Sequence, residues 1–243
     1  MNTSLQIGTC GFAQPKGQYA QHFSCVEVQQ TFYQPPQLAT LERWRKQVPP
    51  SFEFTLKAWQ LITHSSQSPT YKRLTKKLTA LEGREVGYFR PTELVDEAWQ
   101  YTLACAQTLQ ATTILFQCPA SFTQTDEHIE HMVRFFSRID RQGLRLGWEP
   151  RGAWEDSVVQ ALCETLGLWH VVDPFMHQTM TPQHCYYRLH GRQGWRYQYT
   201  VDELRDLLEL LPKSEVGYVF FNNVHMRTDA LVMKKLLEAG DLY

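Results

Sequence analysis

Residues 144–173, LRLGWEPRGAWEDSVVQALCETLGLWHVVD, read as a strand, a helix and a second strand. Leu144–Glu149 and Trp169–Asp173 are short apolar runs rich in β-branched and aromatic residues. Between them Val158, Val159, Leu162 and Leu166 repeat at helical spacing and form one apolar stripe. The same unit recurs in both directions along the chain. Further strands are expected at Leu5–Thr9, Cys25–Gln29, Phe52–Lys57, Thr113–Gln117, Cys185–His190 and Gly217–Asn222. That makes eight strands.

Helices are expected between them. Leu38, Leu41, Trp44, Arg45 and Val48 fall at helical spacing between Pro35-Pro36 and Pro49-Pro50. Thr92 caps a helix with Glu93, Asp96 and Glu97 in its first turns. Ile129, Met132, Val133 and Phe136 make a stripe. Thr200 and Glu203 have capping-box spacing ahead of Leu204, Leu207, Leu208 and Leu211, and Thr228 and Asp229 open the last helix. Eight strands alternating with helices predict an α/β fold, a closed TIM (β/α)8 barrel. An open doubly wound sheet would carry a Gly-rich phosphate turn after its first strand, and Gly8-Thr-Cys-Gly11 is not one. The connection from Ala58 to Thr112, between strands 3 and 4, is the outlier. It holds a basic helical piece, Tyr71–Leu78, and the turn-rich Glu82–Pro91. Residues 1–243 are read as a single domain in which 58–112 is an elaborated loop.

Composition narrows the function classes. A hydrophobic fraction of 43% with 20% charged residues is that of a globular chain, not a disordered one. No apolar run is long enough to span a membrane, and no signal peptide follows Met1. Six scattered cysteines without CxxC read as reduced core thiols, so a cytoplasmic location is expected. A net charge of −1 does not favour nucleic acid as a partner.

In such a barrel the carboxyl ends of the strands build the active face. Here those ends carry Glu27, Gln29, Lys57, Gln117, Glu149, Asp173, Arg188, His190 and Asn222, with Arg151 just beyond. Glu27 with Lys57, or Glu149 with Arg188, would neutralise each other in a packed top layer. Six ionisable groups delivered to one end by five different strands are more than packing requires. Glu27, Lys57, Glu149, Asp173 and His190 are therefore the candidate catalytic residues. Gln29, Tyr33, His64, Gln117, Arg151, Arg188 and Asn222 are the candidate substrate contacts.

The blocks around these positions resemble the YecE-like family (domain of unknown function 72). They are Ile7-Gly-Thr-Cys-Gly-Phe12, Val26-Glu-Val-Gln-Gln-Thr-Phe-Tyr33, and Phe54-Thr-Leu-Lys57 with Ile62-Thr-His64. Leu115-Phe-Gln-Cys-Pro119, Trp148-Glu-Pro-Arg151, Tyr187-Arg-Leu-His-Gly-Arg192 and Phe220-Phe-Asn-Asn223 complete the set, in the family's order. The resemblance implies a TIM barrel and no particular activity. This chain departs from the family pattern at Cys10-Gly11-Phe12, usually Ser-Gly-Trp, and at Glu149-Pro150-Arg151, usually Glu-Phe-Arg. The final block also departs, continuing as Val224-His225-Met226-Arg227 where the family normally has Gly and small residues.

Glu149, Asp173 and His190 supply donors suited to a divalent metal such as Zn, Mn or Mg. With Lys57, Arg151, Arg188 and Arg192 as an anion clamp, the expected chemistry is metal-assisted hydrolysis of a small anionic, phosphorylated substrate. A metal-free isomerase or lyase using Lys57 or His190 is the alternative. So is a non-catalytic single-stranded nucleic-acid module using the rings of Phe32-Tyr33 and of Arg192–Tyr199. A glycosidase fits less well, because strands 4 and 7 end in Gln117 and His190 rather than acids. If the charged cluster is purely functional, Glu149→Gln and Arg188→Ala should abolish function and leave unfolding nearly unchanged.

Overall fold

The computed structural model describes residues 4–211 and 216–239. Among these, eight strands appear: β1 (Ser4–Thr9), β2 (Cys25–Val28), β3 (Glu53–Lys57), β4 (Thr113–Gln117), β5 (Arg145–Glu149), β6 (Trp169–His170), β7 (Cys185–Leu189) and β8 (Val216–Phe221). All pairings are parallel, in the orders β2-β3-β4-β5-β6 and β7-β8-β1. Two isolated bridges, Cys10 with Glu27 and Val172 with Tyr187, join the two ladders into a closed ring. At these seams the Gly11 amide donates to the Glu27 carbonyl (2.8 Å) and the Arg188 amide to that of Val172 (2.9 Å). The fold is the expected TIM barrel.

The helices are α1 (Lys16–Tyr19), α2 (Gln30–Tyr33), α3 (Leu38–Lys46), α4 (Gln60–Thr63), α5 (Glu82–Glu85), α6 (Glu93–Leu109), α7 (Asp126–Arg138), α8 (Asp156–Leu166), α9 (Val201–Glu209) and α10 (Met226–Glu238). Thr92 caps α6, and Thr200 with Glu203 forms the full capping box of α9. No helix among the described residues is long and apolar enough to cross a membrane. All six cysteines are free and buried.

Four expectations shift. The sixth strand is regular only over Trp169–His170 instead of reaching Asp173: the Thr179 and Thr181 side chains take the backbone groups of His170, and beyond it only single bonds, from Val171 to Trp148 and between Val172 and β7, continue the ladder. Thr181 Oγ1 accepts from the His170 amide (2.9 Å), and the Thr179 hydroxyl donates to the His170 carbonyl (3.1 Å). The buried stripe of α7 is Met132, Phe135 and Phe136, leaving Val133 38% exposed. The last helix starts at Met226, and Asp229 is buried, accepting from the Asn223 side chain (2.6 Å). Tyr71–Leu78 is not one helix: a 3-10 turn covers Pro69–Arg73 and no regular element follows until α5. Lys72, Arg73, Lys76 and Lys77 repel at helical spacing, which leaves that stretch without the side-chain pairs that support a helix.

Side chains alternate along each strand, so every second residue faces the inside of the barrel. Outward residues such as Val26, Phe54, Ile114, Phe116, Leu146 and Val219 join the large core beneath the helices. The inner core is a separate cluster of Cys10, Cys25, Leu115, Trp169, Val171, Tyr186, Tyr218 and Phe220. Its rings fit because Gly8, Gly147 and Gly217 are small. A Cβ at Gly8 would lie 2.6 Å from the Cys25 carbonyl oxygen and 3.0 Å from the Phe220 ring. The carbonyl belongs to the neighbouring strand and cannot step aside. Gly8→Ala is therefore expected to cost about 1–3 kcal/mol by overpacking, read from urea denaturation; an unchanged midpoint would show that β1 has room to move.

Candidate functional site

Two residues above the inner core, the same alternation brings polar side chains inward. Tyr186 is in the inner core and Arg188 is the next inward residue of β7. Glu27, Lys57, Gln117 and Glu149 arrive the same way from β2, β3, β4 and β5.

Arg188 is fully buried, and its guanidinium links the others. Its Nε and Nη2 donate to Glu27 (2.9–3.2 Å). Its Nη1 donates to Glu149 Oε2 (2.6 Å) and to Gln117 Oε1 (3.3 Å). Glu27 also accepts from the Tyr186 hydroxyl (2.7 Å), from Cys10 Sγ (3.3 Å) and from the Gln29 amide. Burial pushes both carboxyls up, but Arg188 outweighs it, helped by Tyr186 and Lys57 at Glu27 and by Arg151 at Glu149. Glu27 ends below its ordinary value and Glu149 falls to about 2. Both are anionic at neutral pH.

Arg151 reaches back over Pro150. Its Nε and Nη2 donate to Glu149 Oε1 (3.1 and 2.8 Å), and Nη2 also donates to His190 Nε2 (2.6 Å). Because a guanidinium only donates, Nε2 accepts and the ring proton sits on Nδ1, which faces Asp173 Oδ2 at 3.6 Å. Asp173 meanwhile accepts from the amides of His190 (2.9 Å) and Phe175 (3.2 Å), so it holds the loop and lies outside the cavity.

That cavity, about 350 Å3, opens at the carboxyl end. Its walls are Gln29, Phe32, Tyr33, Lys57, His64, Thr70, Arg73, Gln117, Arg151, Arg188, His190 and Asn222. All seven expected substrate contacts line it: Gln29, Tyr33, His64, Gln117, Arg151, Arg188 and Asn222. Of the expected catalytic residues only Lys57 and His190 do. Four cations face the space and no carboxylate does, since Glu27 and Glu149 pair with Arg188 without lining it.

The Lys57 amine donates to Gln117 Oε1 (3.0 Å) and lies 3.8 Å from the centre of the Phe32 ring. Burial, and then the charge of Arg188, lower it to about 7 against the opposing pull of Glu27 and Glu149. It is therefore far closer to neutrality at pH 7 than an exposed lysine. His64 packs edge-on to Phe32, holds Thr63 Oγ1 at 2.8 Å, and is pushed down to about 3 by burial and by Lys57 and Arg151. It stays neutral.

The expected metal set of Glu149, Asp173 and His190 does not form. His190 turns Nε2 toward Glu149 (3.9 Å) and Nδ1 toward Asp173 (3.6 Å), so one ion cannot take a ring nitrogen and both carboxylates. Arg188 already holds the charge between Glu27 and Glu149 that a divalent ion would supply. Among the described residues no group of three or more His, Cys, Asp or Glu side chains is placed to hold a metal.

Two participants escaped the sequence reading. Tyr186 was legible as the residue two before Arg188 on the same strand face. Arg73, stacked 4.2 Å over Tyr33, comes from the long connection and carries no local signal.

A model of a family described as "Protein of unknown function DUF72" matches residues 17–241. No curated protein matches. Among solved structures, a DUF72 family protein from Enterococcus faecalis superposes with a TM-score of 0.73 at 22% identity, covering 98% of each chain. One from Thermotoga maritima gives 0.68 at 22% identity, over 97% of this chain and 99% of that one. A xylose isomerase domain containing protein from Salmonella typhimurium gives 0.60 at 13% identity, over 100% and 97%. These likenesses extend to the fold.

Two measurements test the electrostatics. Arg188→Ala strands two buried carboxylates and should lower the unfolding free energy by about 3–5 kcal/mol, contrary to a purely functional role; an unchanged urea midpoint would refute the clamp. The unfolded chain keeps the Lys57 proton up to its ordinary 10.5, whereas the native chain releases it near 7. Stability from this group is thus complete above 10.5 and lost as pH falls to 7. Lys57→Met should be most stabilising at pH 6, with its advantage shrinking toward pH 10; parallel pH profiles would contradict this.

Proposed function

For this chain, which belongs to the DUF72 family of proteins of unknown function, we propose an enzyme that binds an anionic carbonyl compound at the barrel mouth and attacks it with the neutral amine of Lys57. The reading replaces metal-assisted phosphoester hydrolysis as the best account of the site. One observation carries it: a buried, partly neutral amine in the wall of a cavity faced by cations and by no carboxylate.

Arg73 and Arg151 receive the phosphate or carboxylate of the substrate, whose geometry suits a guanidinium fork. The Lys57 lone pair then forms a C–N bond to the carbonyl carbon. The carbonyl oxygen leaves as water, taking one proton from the amine and one from solvent, and an iminium remains. A cation-lined cavity disfavours a new positive charge when empty. The negative group brought by the substrate offsets it, so the amine is reactive chiefly toward anionic carbonyls. The iminium withdraws electrons from the adjacent carbon, which serves an isomerase or a lyase alike. His190, accepting from Arg151, orients that guanidinium. The free cysteines suit a reducing compartment such as the cytoplasm.

Reductive trapping tests the proposal. Protein is incubated with dihydroxyacetone phosphate or pyruvate and sodium cyanoborohydride, and peptides are examined by mass spectrometry. A single adduct on Lys57, forming faster as pH rises through 7 and absent in Lys57→Arg, is expected. Adducts scattered over exposed lysines, or none, would overturn it.

A further inference from the structure

The connection between β3 and β4 makes a second concave site. The segments 61–63 and 87–89 are tied together: the amides of Gly87 and Phe89 donate to the carbonyls of Leu61 (2.7 Å) and Ile62 (2.8 Å). The Ser66 hydroxyl closes the excursion above them, donating to the Gly83 carbonyl (2.7 Å). Gly87, at φ +80°, is forced by this closure, since a Cβ there would lie 2.3 Å from the His64 carbonyl oxygen. The excursion is therefore a pinned element with a fixed shape.

Its inner side is a groove of about 710 Å3. Lys72, Lys77, Arg84 and Arg90 line it, no Asp or Glu does, and none of the four forms an ion pair among the described residues. Tyr71 and Tyr88 line it as well; Arg90 lies 5.1 Å over the Tyr88 ring, which also packs on Phe122 (5.6 Å) and His128 (5.0 Å) and presents its remaining edge to the groove. Residues 65–90 carry six Lys or Arg against two Glu, in a chain whose net charge is −1. The balanced total hides one strongly basic surface.

The groove adjoins the barrel mouth. The 3-10 turn Pro69–Arg73 supplies Thr70 and Arg73 to the mouth cavity and Tyr71 and Lys72 to the groove. The Tyr71 hydroxyl donates to the carbonyl of His64, which lines the mouth (2.8 Å). A basic track thus runs from the groove to Arg73 and on to Arg151 and Arg188.

We infer that this groove binds single-stranded nucleic acid, with phosphates on Lys72, Lys77, Arg84 and Arg90 and bases against Tyr71 and Tyr88. Spaced cations track a backbone of one charge per nucleotide, and interleaved rings stack on bases without choosing among them. A lone small anion would need one or two of these cations, and it would leave the rings unused. The inference does not depend on amine chemistry at Lys57.

The test is fluorescence anisotropy of the full chain with a fluorescein-labelled 20-nucleotide oligothymidylate between 50 and 300 mM salt. Four phosphate contacts predict a slope of log K against log salt of about −3. The combined variant Lys72→Gln, Lys77→Gln, Arg84→Gln changes only exposed side chains. It should bind at least tenfold more weakly, with a slope near −1, and show an unaltered melting curve. Lys72→Arg with Lys77→Arg should bind as the parent does, and so should Lys57→Met, which separates this site from the mouth chemistry. Three results would each overturn the inference: no saturable binding at 50 mM salt, a combined variant that binds normally, or loss of binding in Lys57→Met. Displacement of the oligonucleotide by inorganic polyphosphate at equal charge and equal affinity would also do so, since it would leave the rings without a role.

Discussion

A guanidinium with no exposed surface cannot stand alone, and the top of this barrel is organised around that fact. Removing Arg188 from water is repaid only by close, well-directed partners, and Glu27 and Glu149 provide them from strands on either side. Arg151 then completes Glu149. Two arginines and two glutamates balance, which leaves Lys57 as a fifth ionisable group without a counterion of its own. Burial therefore decides its state, and the amine goes toward neutrality. The lowered state of the Lys57 amine is thus a consequence of burial and of the pair count, not of a special contact to the lysine.

The opposite end of the barrel shows what the same residue types do when they only build structure. Arg145 donates to Glu53 (2.9 Å) and to the Tyr218 hydroxyl (2.7 Å), which in turn donates to Glu53. Thr112 and Thr113 fill the remaining positions. One cation meets one anion, and their charges cancel. The charged side chains at this end are half-buried, whereas those at the carboxyl end are buried, with a surplus cation in the wall of a cavity. Ionisable residues at a barrel mouth are informative when their charges fail to cancel.

Much of this was legible in the sequence because strand periodicity dictates direction. Once Cys185–Leu189 is a strand with Tyr186 inside, Arg188 must be inside too, and eight such runs place their ends on one rim. What escaped was set by long-range competition. The Thr179 and Thr181 side chains, about ten residues away, take the His170 backbone groups that would otherwise face β7. Asp173, expected to be catalytic, was drawn off to the His190 and Phe175 amides. Arg73 reached the mouth from a connection whose path depends on pairing between 61–63 and 87–89, which no local pattern announces. The metal donors were named by residue type, whereas geometry gives Glu149 to Arg188 and Arg151 and Asp173 to backbone amides.

The departures from the family pattern bear on the same clamp. Cys10 stands where Ser is usual, and its thiol, raised by burial and by Glu27, stays protonated and donates to that carboxylate. A hydroxyl would make the same contact, so the substitution keeps the donor. Pro150 stands where Phe is usual, between Glu149 and Arg151. Proline restricts the backbone of its own residue and of the one before it, and Arg151 folds back onto Glu149 across that turn. Cys10 donates to Glu27 and Arg151 to Glu149, so both segments feed the carboxylates that hold Arg188, and the charge balance of the clamp rests on those contacts.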